Sequence, residues 1–296
     1  EIKEALAKGL ELCNVVKPDL LLATDPDCDR VGIAVPSDNG YELFTGNEVG
    51  AMLLEYICSE RTKMGTMPAD PVAVKTIVTT DIAAKIAKEY GVKLIEVLTG
   101  FKFIGEQIGF LEDKGQEDRY IFGFEESYGY LAGSYVRDKD AVVASMLICE
   151  MAAFYRTKGI SLIQARENMY KKYGVYVHSQ SSFVCEGVTG MERMKEIMSD
   201  LRTNTPKTIG GLTVTRFEDY LASTSVDTAT GAKTMLTLPK SDVLTFKLTD
   251  GASVIIRPSG TEPKIKAYYT TTGTTKAEAA ALEKTISDDF AKILGF

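Results

Sequence analysis

From Val72 to Phe124 the chain alternates short apolar runs with helical patterns, and this alternation constrains its fold more than any other feature. The runs "VAVKTIVTT", "KLIEVLT" and "RYIFGFEES" have strand length; "DIAAKIAKEYG" and "GFKFIGEQIGFLEDKG" between them carry helical spacing. Strands separated by whole helices favour a parallel sheet with covering helices. Upstream, residues 1–16 read as a helix, "KPDLLLAT" and "RVGIAVP" as strands, "SDNG" as a turn, and Thr45–Glu48 as a capping box opening a helix to about Glu60. Asp81 is placed to start the "DIAAKIAKEYG" helix. Downstream come a long helix over "DKDAVVASMLICEMAAFYRTKG" and a second over "SLIQARENMYKKYG" with a Ser–x–x–Gln cap.

The texture changes near Tyr173, and a domain boundary is expected at 174–177. Beyond it, "VYVHSQSSFVC" is strand-like and "TGMERMKEIMSDLR" is a helix with capping-box spacing, Thr189 to Glu192. "VLTFKLTDGASVIIRP" is a hairpin around Asp250–Gly251, "KIKAYYTTT" a strand, and "TKAEAAALEKTISDDFAKIL" a final helix. Residues 206–240 are rich in Thr, Ser and Gly with weak periodicity. The expected class is α/β, followed by a smaller α+β part with antiparallel pairing.

Charge narrows the function. With 34 basic and 41 acidic residues the net charge is −7, which argues against non-specific nucleic-acid binding. Any anion site must then be built from local charge. The five cysteines are scattered and odd in number, without a CxxC pair, so reduced thiols in a cytoplasmic setting are expected. No apolar run approaches the ~20 residues of a membrane span.

Three loops carry candidate chemistry. In "LLLATDPDCDRVGIAV", Asp25, Asp27 and Asp29 alternate with Pro26 and Cys28. In an extended loop, alternate side chains point the same way, so three carboxylates would converge. Their repulsion is tolerable with a cation among them, and oxygen ligands without His or Cys suit Mg²⁺ or Ca²⁺. An EF-hand fits poorly, because Arg30 and Pro36 stand where Gly and Glu are needed. A phosphatase-type Asp-x-Asp, with Asp25 as nucleophile, lacks the usual following Thr. An exposed acidic turn with Asp29 paired to Arg30 is the bland reading.

The second loop, "GFEESYGYLAGSYVRDKDA", places Glu125 and Ser127 two residues apart, a carboxylate and a hydroxyl suited to sugar hydroxyls; the alternative is a strand–helix turn capped by Asp138 or Asp140. In the third, "IIRPSGTEPKIKAYY", Arg257, Ser259, Gly260, Thr261 and Lys264 lie between two strands. Glycine admits an anion close to the backbone, hydroxyls and N–H groups cradle phosphate, and Arg grips two oxygens; a hairpin turn with an exposed Arg competes. His178, the single histidine, reads as structural.

In this order the loops resemble those of the α-D-phosphohexomutase superfamily, the phosphoglucomutase/phosphomannomutase enzymes, in which four domains each contribute one loop. "TDPDCDR" is similar to the metal loop, "GFEES" to the sugar loop, "RPSGTEPK" to the phosphate loop, and "TGFKFIGEQI" to a further segment near the sugar. No match to the family's phosphoserine loop is found. The resemblance therefore implies the C-terminal half of a long-type phosphoglucomutase: the end of domain two (1–42), an α/β domain three with a mixed sheet (43–174) and domain four (175–296). It implies Mg²⁺ on Asp25, Asp27 and Asp29, with catalytic roles for Arg30 and Lys102. Glu125, Ser127, Lys139, Arg257, Ser259, Gly260, Thr261 and Lys264 would bind substrate. The implied reaction interconverts hexose 1- and 6-phosphates, glucose foremost, through glucose 1,6-bisphosphate and a phosphoserine on the N-terminal half, which is the expected partner. Phosphopentomutase chemistry, and a phosphosugar- or Mg²⁺-binding fragment without catalysis, stand as alternatives. No nucleic acid and no membrane partner is expected.

Overall fold

Why the first unit holds together is clearest at Arg166, a buried cation that ties three elements. The computed structural model describes residues 3–185, 187, 189–260 and 262–296. Its contacts divide the chain into two units, Glu1–Tyr173 and Gly174–Phe296. In the first, α1 (Ala7–Val16) precedes an antiparallel sheet of β1 (Leu21–Thr24), β2 (Val31–Ser37) and β3 (Gly40–Phe44). Then α2 (Gly46–Met64) begins with the expected Thr45–Glu48 capping box and runs past Glu60 to a left-handed Gly65. The Arg166 guanidinium reaches Glu42 of β3 at 2.7 Å and Glu48 of α2 at 3.3 Å, and lies over the Phe44 ring. A charge removed from water needs such partners. Residues on either side of position 43 are thereby joined within one unit.

The alternating region forms the parallel core of a second sheet. β4 (Val72–Thr76), α3 (Ile82–Tyr90), β5 (Lys93–Val97), α4 (Phe101–Glu112), β6 (Tyr120–Phe124) and β7 (Tyr130–Leu131) follow in chain order. The sheet order is β5-β4-β6-β7, with β4 parallel to both β5 and β6, and β7 antiparallel to β6. Helix α4 lays Phe101, Ile104, Ile108 and Leu111 against Val72, Val74 and Val97, each large side chain contributing roughly 1.5–3 kcal/mol on full burial. Helices α5 (Ala141–Thr157) and α6 (Leu162–Tyr173) complete the unit; Asp140 caps α5 and Ser161–Gln164 caps α6. Asp81 does not cap α3 through its side chain. Its carboxylate is engaged by the buried ammonium of Lys75 instead, at 3.2 Å.

The second unit is an antiparallel sheet with helices packed on it, the α+β arrangement. It contains β8 (Val175–Val184), α7 (Gly190–Thr203), β9 (Thr208–Ile209), β10 (Leu212–Asp219), β11 (Thr224–Asp227), β12 (Lys233–Met235), β13 (Leu244–Leu248), β14 (Ser253–Pro258), β15 (Lys264–Gly273) and α8 (Lys276–Leu294). The order is β12-β11-β10-β13-β14-β15-β8, with β9 on β10. The weakly periodic residues 206–240 thus supply four strands; β9, β11 and β12 are too short to show a period, and polar residues interrupt the longer β10. Met198, Leu201, Ile286 and Phe290 from the two helices meet Phe246, Val254 and Tyr269 of the sheet. The Thr189–Glu192 capping box does not form: Thr189 has φ −90°, ψ 5°, and its carbonyl, not its hydroxyl, accepts from Glu192 N–H. Thr275–Glu278 closes a full box at α8. Among the described residues, no helix is long and apolar enough to cross a membrane.

Candidate functional site

The three aspartates converge, but not because the loop is extended. The chain folds back: Asp25 N–H donates to the Arg30 carbonyl at 3.3 Å, Cys28 N–H to the Asp25 carbonyl at 3.0 Å, and Cys28 takes φ 58°. One Asp25 oxygen accepts the N–H groups of Asp29 and Arg30, both at 3.0 Å. Burial acts to raise the Asp25 pKa, but those N–H donors outweigh it and hold the carboxyl below its ordinary value. One oxygen from each of Asp25, Asp27 and Asp29 lies within 4.8 Å of the others. Three hard oxygen donors at that spacing fit an oxygen-seeking divalent cation such as Mg²⁺ or Ca²⁺. Arg30 Nε stands 3.6 Å from Asp29 and 4.0 Å from Asp25.

The second loop is brought to the first. Arg30 and Gly129 form an isolated antiparallel bridge, and Val31 N–H donates to the Tyr128 carbonyl at 3.2 Å. Cys28 accepts Ala141 N–H at 3.1 Å. Lys139 Nζ reaches Asp29 at 2.7 Å and Asp138 at 3.1 Å. Burial disfavours its charge, but the two carboxylates prevail and raise its pKa. The loop reaches α5 with the Asp140 cap that the alternative reading expects, but first turns back on itself: Glu125–Gly129 closes the β6–β7 hairpin, with Glu125 N–H donating to the Gly129 carbonyl at 2.9 Å. Tyr128 takes φ 65° there.

Glu125 is 5 % exposed, and Gly100 N–H donates to its Oε1 at 2.9 Å. Burial, then the neighbouring charge of Glu126, pushes its pKa up to about 7. Ser127 is half-buried beside it. The segment Thr99–Ile108 thus meets Glu125 through its backbone, at a Gly100 held at φ 121°. Lys102 is exposed and its ammonium sits over the Phe103 ring. A Cβ at Gly46 would overlap the Glu126 carbonyl oxygen, so the first residue of α2 must be glycine for the Glu125–Gly129 loop to pack there.

The third loop lies in the second unit. Arg257 belongs to β14 and Lys264 to β15, so both sit in strands that the sequence places them between. Arg257 Nε donates to Tyr268 Oη at 3.3 Å. Ser259 N–H donates to the Lys264 carbonyl at 2.8 Å, closing the turn, and Lys264 Nζ pairs with Glu262 at 2.6 Å. Gly260 is exposed, with open space around it. Thr261 lies outside the described residues.

Sequence reasoning missed Lys75, whose side chain is 1 % exposed at the carboxyl end of β4. Its signal was present: a lysine inside the otherwise apolar "VAVKTIV". Thr76, Asn47 and Glu126, which join its surroundings to the second loop, carry no such signal.

Residues 45–173 match the family model for phosphoglucomutase/phosphomannomutase, alpha/beta/alpha domain III, and residues 201–288 that for the phosphoglucomutase/phosphomannomutase C-terminal domain. A phosphoglucomutase of Staphylococcus aureus (strain bovine RF122 / ET3-1) is 38 % identical over 269 residues, covering 90 % of this chain and 47 % of that protein. The phosphoglucomutase of strain MRSA252 is likewise 38 % identical over 269 residues. The chain spans about half the length of the curated relatives it matches. Among solved structures, the Paramecium pp63/parafusin phosphoglucomutase in its open form superposes with TM-score 0.69 at 20 % identity, over 98 % of this chain and 48 % of that one. A phosphoglucomutase/phosphomannomutase family protein from Burkholderia thailandensis gives TM-score 0.60 at 14 % identity, over 99 % of this chain and 50 % of that one. At these identities the structures establish a shared fold.

Proposed function

The chain belongs to the phosphoglucomutase/phosphomannomutase family, and from that membership we propose that it supplies the metal, sugar and distal phosphate loops of a phosphosugar mutase acting on glucose phosphates. The observation that carries this reading is the junction in the first unit, where Lys139 of the sugar loop pairs with Asp29 of the aspartate loop at 2.7 Å. Two loops more than a hundred residues apart in sequence are held as one polar surface.

Asp25, Asp27 and Asp29 would hold Mg²⁺, and the bound ion would supply charge neutralisation for a transferring phosphoryl group. The chain's own residues then divide the work. Arg30 lies against two of the three carboxylates and orients the phosphoryl oxygens. Lys139 offers a second cation on the same side. Ionised Glu125 accepts from vicinal sugar hydroxyls, and Ser127 donates or accepts as each substrate orientation requires. Lys102, exposed on the first turn of α4, contacts substrate from solvent. In the second unit, Arg257, Ser259, Gly260, Thr261 and Lys264 take the phosphate not being transferred. Phosphate moves between O1 and O6 of the hexose through glucose 1,6-bisphosphate. A serine in the part of the relatives' length that the chain does not span accepts and returns the phosphoryl group. By itself this chain is expected to bind phosphosugar without turning it over.

Calorimetric titration with glucose 1-phosphate in Mg²⁺ tests the reading, beside Arg257→Ala and Glu125→Ala. Binding that both substitutions weaken supports it. Binding that neither affects, or mutase turnover by this chain alone, sinks it.

A further inference from the structure

We propose that Lys75 is a positioning residue for the sugar loop, holding Glu125 in place through Thr76 and Glu126; the inference rests on the reading of Glu125 as the sugar-binding carboxylate. Lys75 is the second-last residue of β4, the middle strand of the parallel part of its sheet, at the carboxyl end where such strands present ligands. Its ammonium is enclosed by four oxygens: Glu96 Oε2 at 2.5 Å, the Thr79 carbonyl at 3.0 Å, Asp81 Oδ1 at 3.2 Å and the Thr76 carbonyl at 3.3 Å. Burial alone would lower its pKa; Glu96 and Asp81 reverse the sign and raise it, so the amine stays charged.

A charge buried this deeply is costly unless it is paired and hydrogen-bonded, and Lys75 draws those partners from the chain around it. What it organises is the turn from Thr76 to Asp81, whose Thr76 and Thr79 carbonyls and Asp81 carboxylate face the ammonium. That turn then acts on the neighbouring loops. The Thr76 hydroxyl meets Thr79 Oγ1 at 2.8 Å and donates to Glu126 Oε2 at 3.4 Å. Thr80 N–H donates to Asn47 Oδ1 at 2.9 Å, fixing the start of α2. Gly46, beside Asn47, packs without clearance on the Glu126 carbonyl. Glu126 is thus gripped at its side chain by Thr76 and at its backbone by α2, and both grips lead back to the turn that Lys75 fills. Glu125 is the residue immediately before it in the chain.

Arg166 offers a comparator: another buried cation of the same unit, paired with Glu42, Glu48 and Glu167, none of them in the sugar loop. The test uses this chain labelled with ¹⁵N and ¹³C, as wild type, Lys75→Met, Thr76→Val and Arg166→Met. The Gly100 amide and Glu125 carboxyl resonances are followed against pH, thermal unfolding is recorded, and glucose 1-phosphate is titrated in Mg²⁺. Lys75→Met and Thr76→Val are expected to move the Gly100 and Glu125 signals in the same sense and to weaken glucose 1-phosphate roughly tenfold, about 1.4 kcal/mol. Arg166→Met is expected to lower the melting temperature while moving those signals less than either of the first two variants, since Arg166 meets α2 at Glu48 and not at Gly46 or Asn47. Unmoved Gly100 and Glu125 resonances in both first variants would overturn the proposal, whatever the loss of stability. Should Lys75→Met fail to fold, Thr76→Val decides, since it cuts the relay and leaves the ammonium. If even the wild type binds no glucose 1-phosphate, the phosphosugar reading fails while the resonances still decide the role of Lys75.

Discussion

The aspartate–sugar cluster of the first unit and the Arg257–Lys264 turn of the second are built in opposite ways. In the cluster, side chains are held by contacts from other residues: Glu125 by Gly100, Asp29 by Lys139, and Asp25 by the N–H groups of Asp29 and Arg30. In the turn, Gly260 faces open space and Lys264 is tied to Glu262, two residues away. The first arrangement is pre-formed and shares its contacts with the core; the second is a local hairpin with little packing to lose. Substitutions in the cluster should therefore change stability and binding together, and those in the turn should change binding alone.

The sharpest break of that contrast is Gly46→Ala. A methyl there meets the Glu126 backbone, which has no flexible end to yield, so a loss of about 3 kcal/mol in unfolding free energy is expected, with phosphosugar binding lost in parallel. Unchanged denaturant midpoints would show that the loop is not clamped by α2.

Glu125 gives a pH signature of similar size. Its carboxyl rises from 4.5 to about 7 on folding, so the folded chain binds a proton more readily than the unfolded one. That stabilisation is present below about pH 4.5 and is lost as pH rises through about 7, a change on the order of 3 kcal/mol at ~1.4 kcal/mol per unit. Glu125→Gln should erase this slope in metal-free unfolding curves, and phosphosugar binding by wild type should strengthen as pH passes 7. Parallel curves for the two proteins would contradict the burial argument.

Metal binding comes next. If the three aspartates hold Mg²⁺, saturating it at about a hundredfold above its dissociation constant should stabilise the chain by about 2.7 kcal/mol, and Asp27→Asn should abolish most of that gain. Equal thermal shifts in both proteins would place the ion elsewhere.

The smallest expected effect is in the turn. Arg257→Ala should alter stability by less than about 0.5 kcal/mol while weakening inorganic phosphate binding severalfold. A large loss of stability would mean that the stacking over Tyr268 matters more than an exposed turn implies.

Much of this was legible locally. The Thr45–Glu48 box, the Asp140 cap and the β13–β14 hairpin all depend on residues a few positions apart, and they form where their spacing puts them. The failures are equally specific. Asp81 carries a capping signal that Lys75 diverts: its carboxylate pairs with the buried ammonium, and the Ala84 N–H donates to the Asp81 carbonyl instead. Thr189 has the spacing of a cap, but its backbone enters α7 in a turn conformation that uses its carbonyl. The four strands between 206 and 240 left little alternation to read, since three of them have four residues or fewer and the longer β10 mixes polar residues into both faces.

By itself the sequence determined the parallel alternation, the change of texture at Tyr173 and the three chemistry-bearing loops with their residue types. These are properties of neighbouring residues, and local sterics and periodicity suffice to set them. Only the tertiary structure decided that Lys139 meets Asp29, that Gly100 meets Glu125, and that Lys75 is buried with Glu96 and Asp81. Lys75–Asp81 apart, these pairings join residues more than twenty positions apart in the chain, and they are selected by which polar groups lose water together when the sheet and helices close over them.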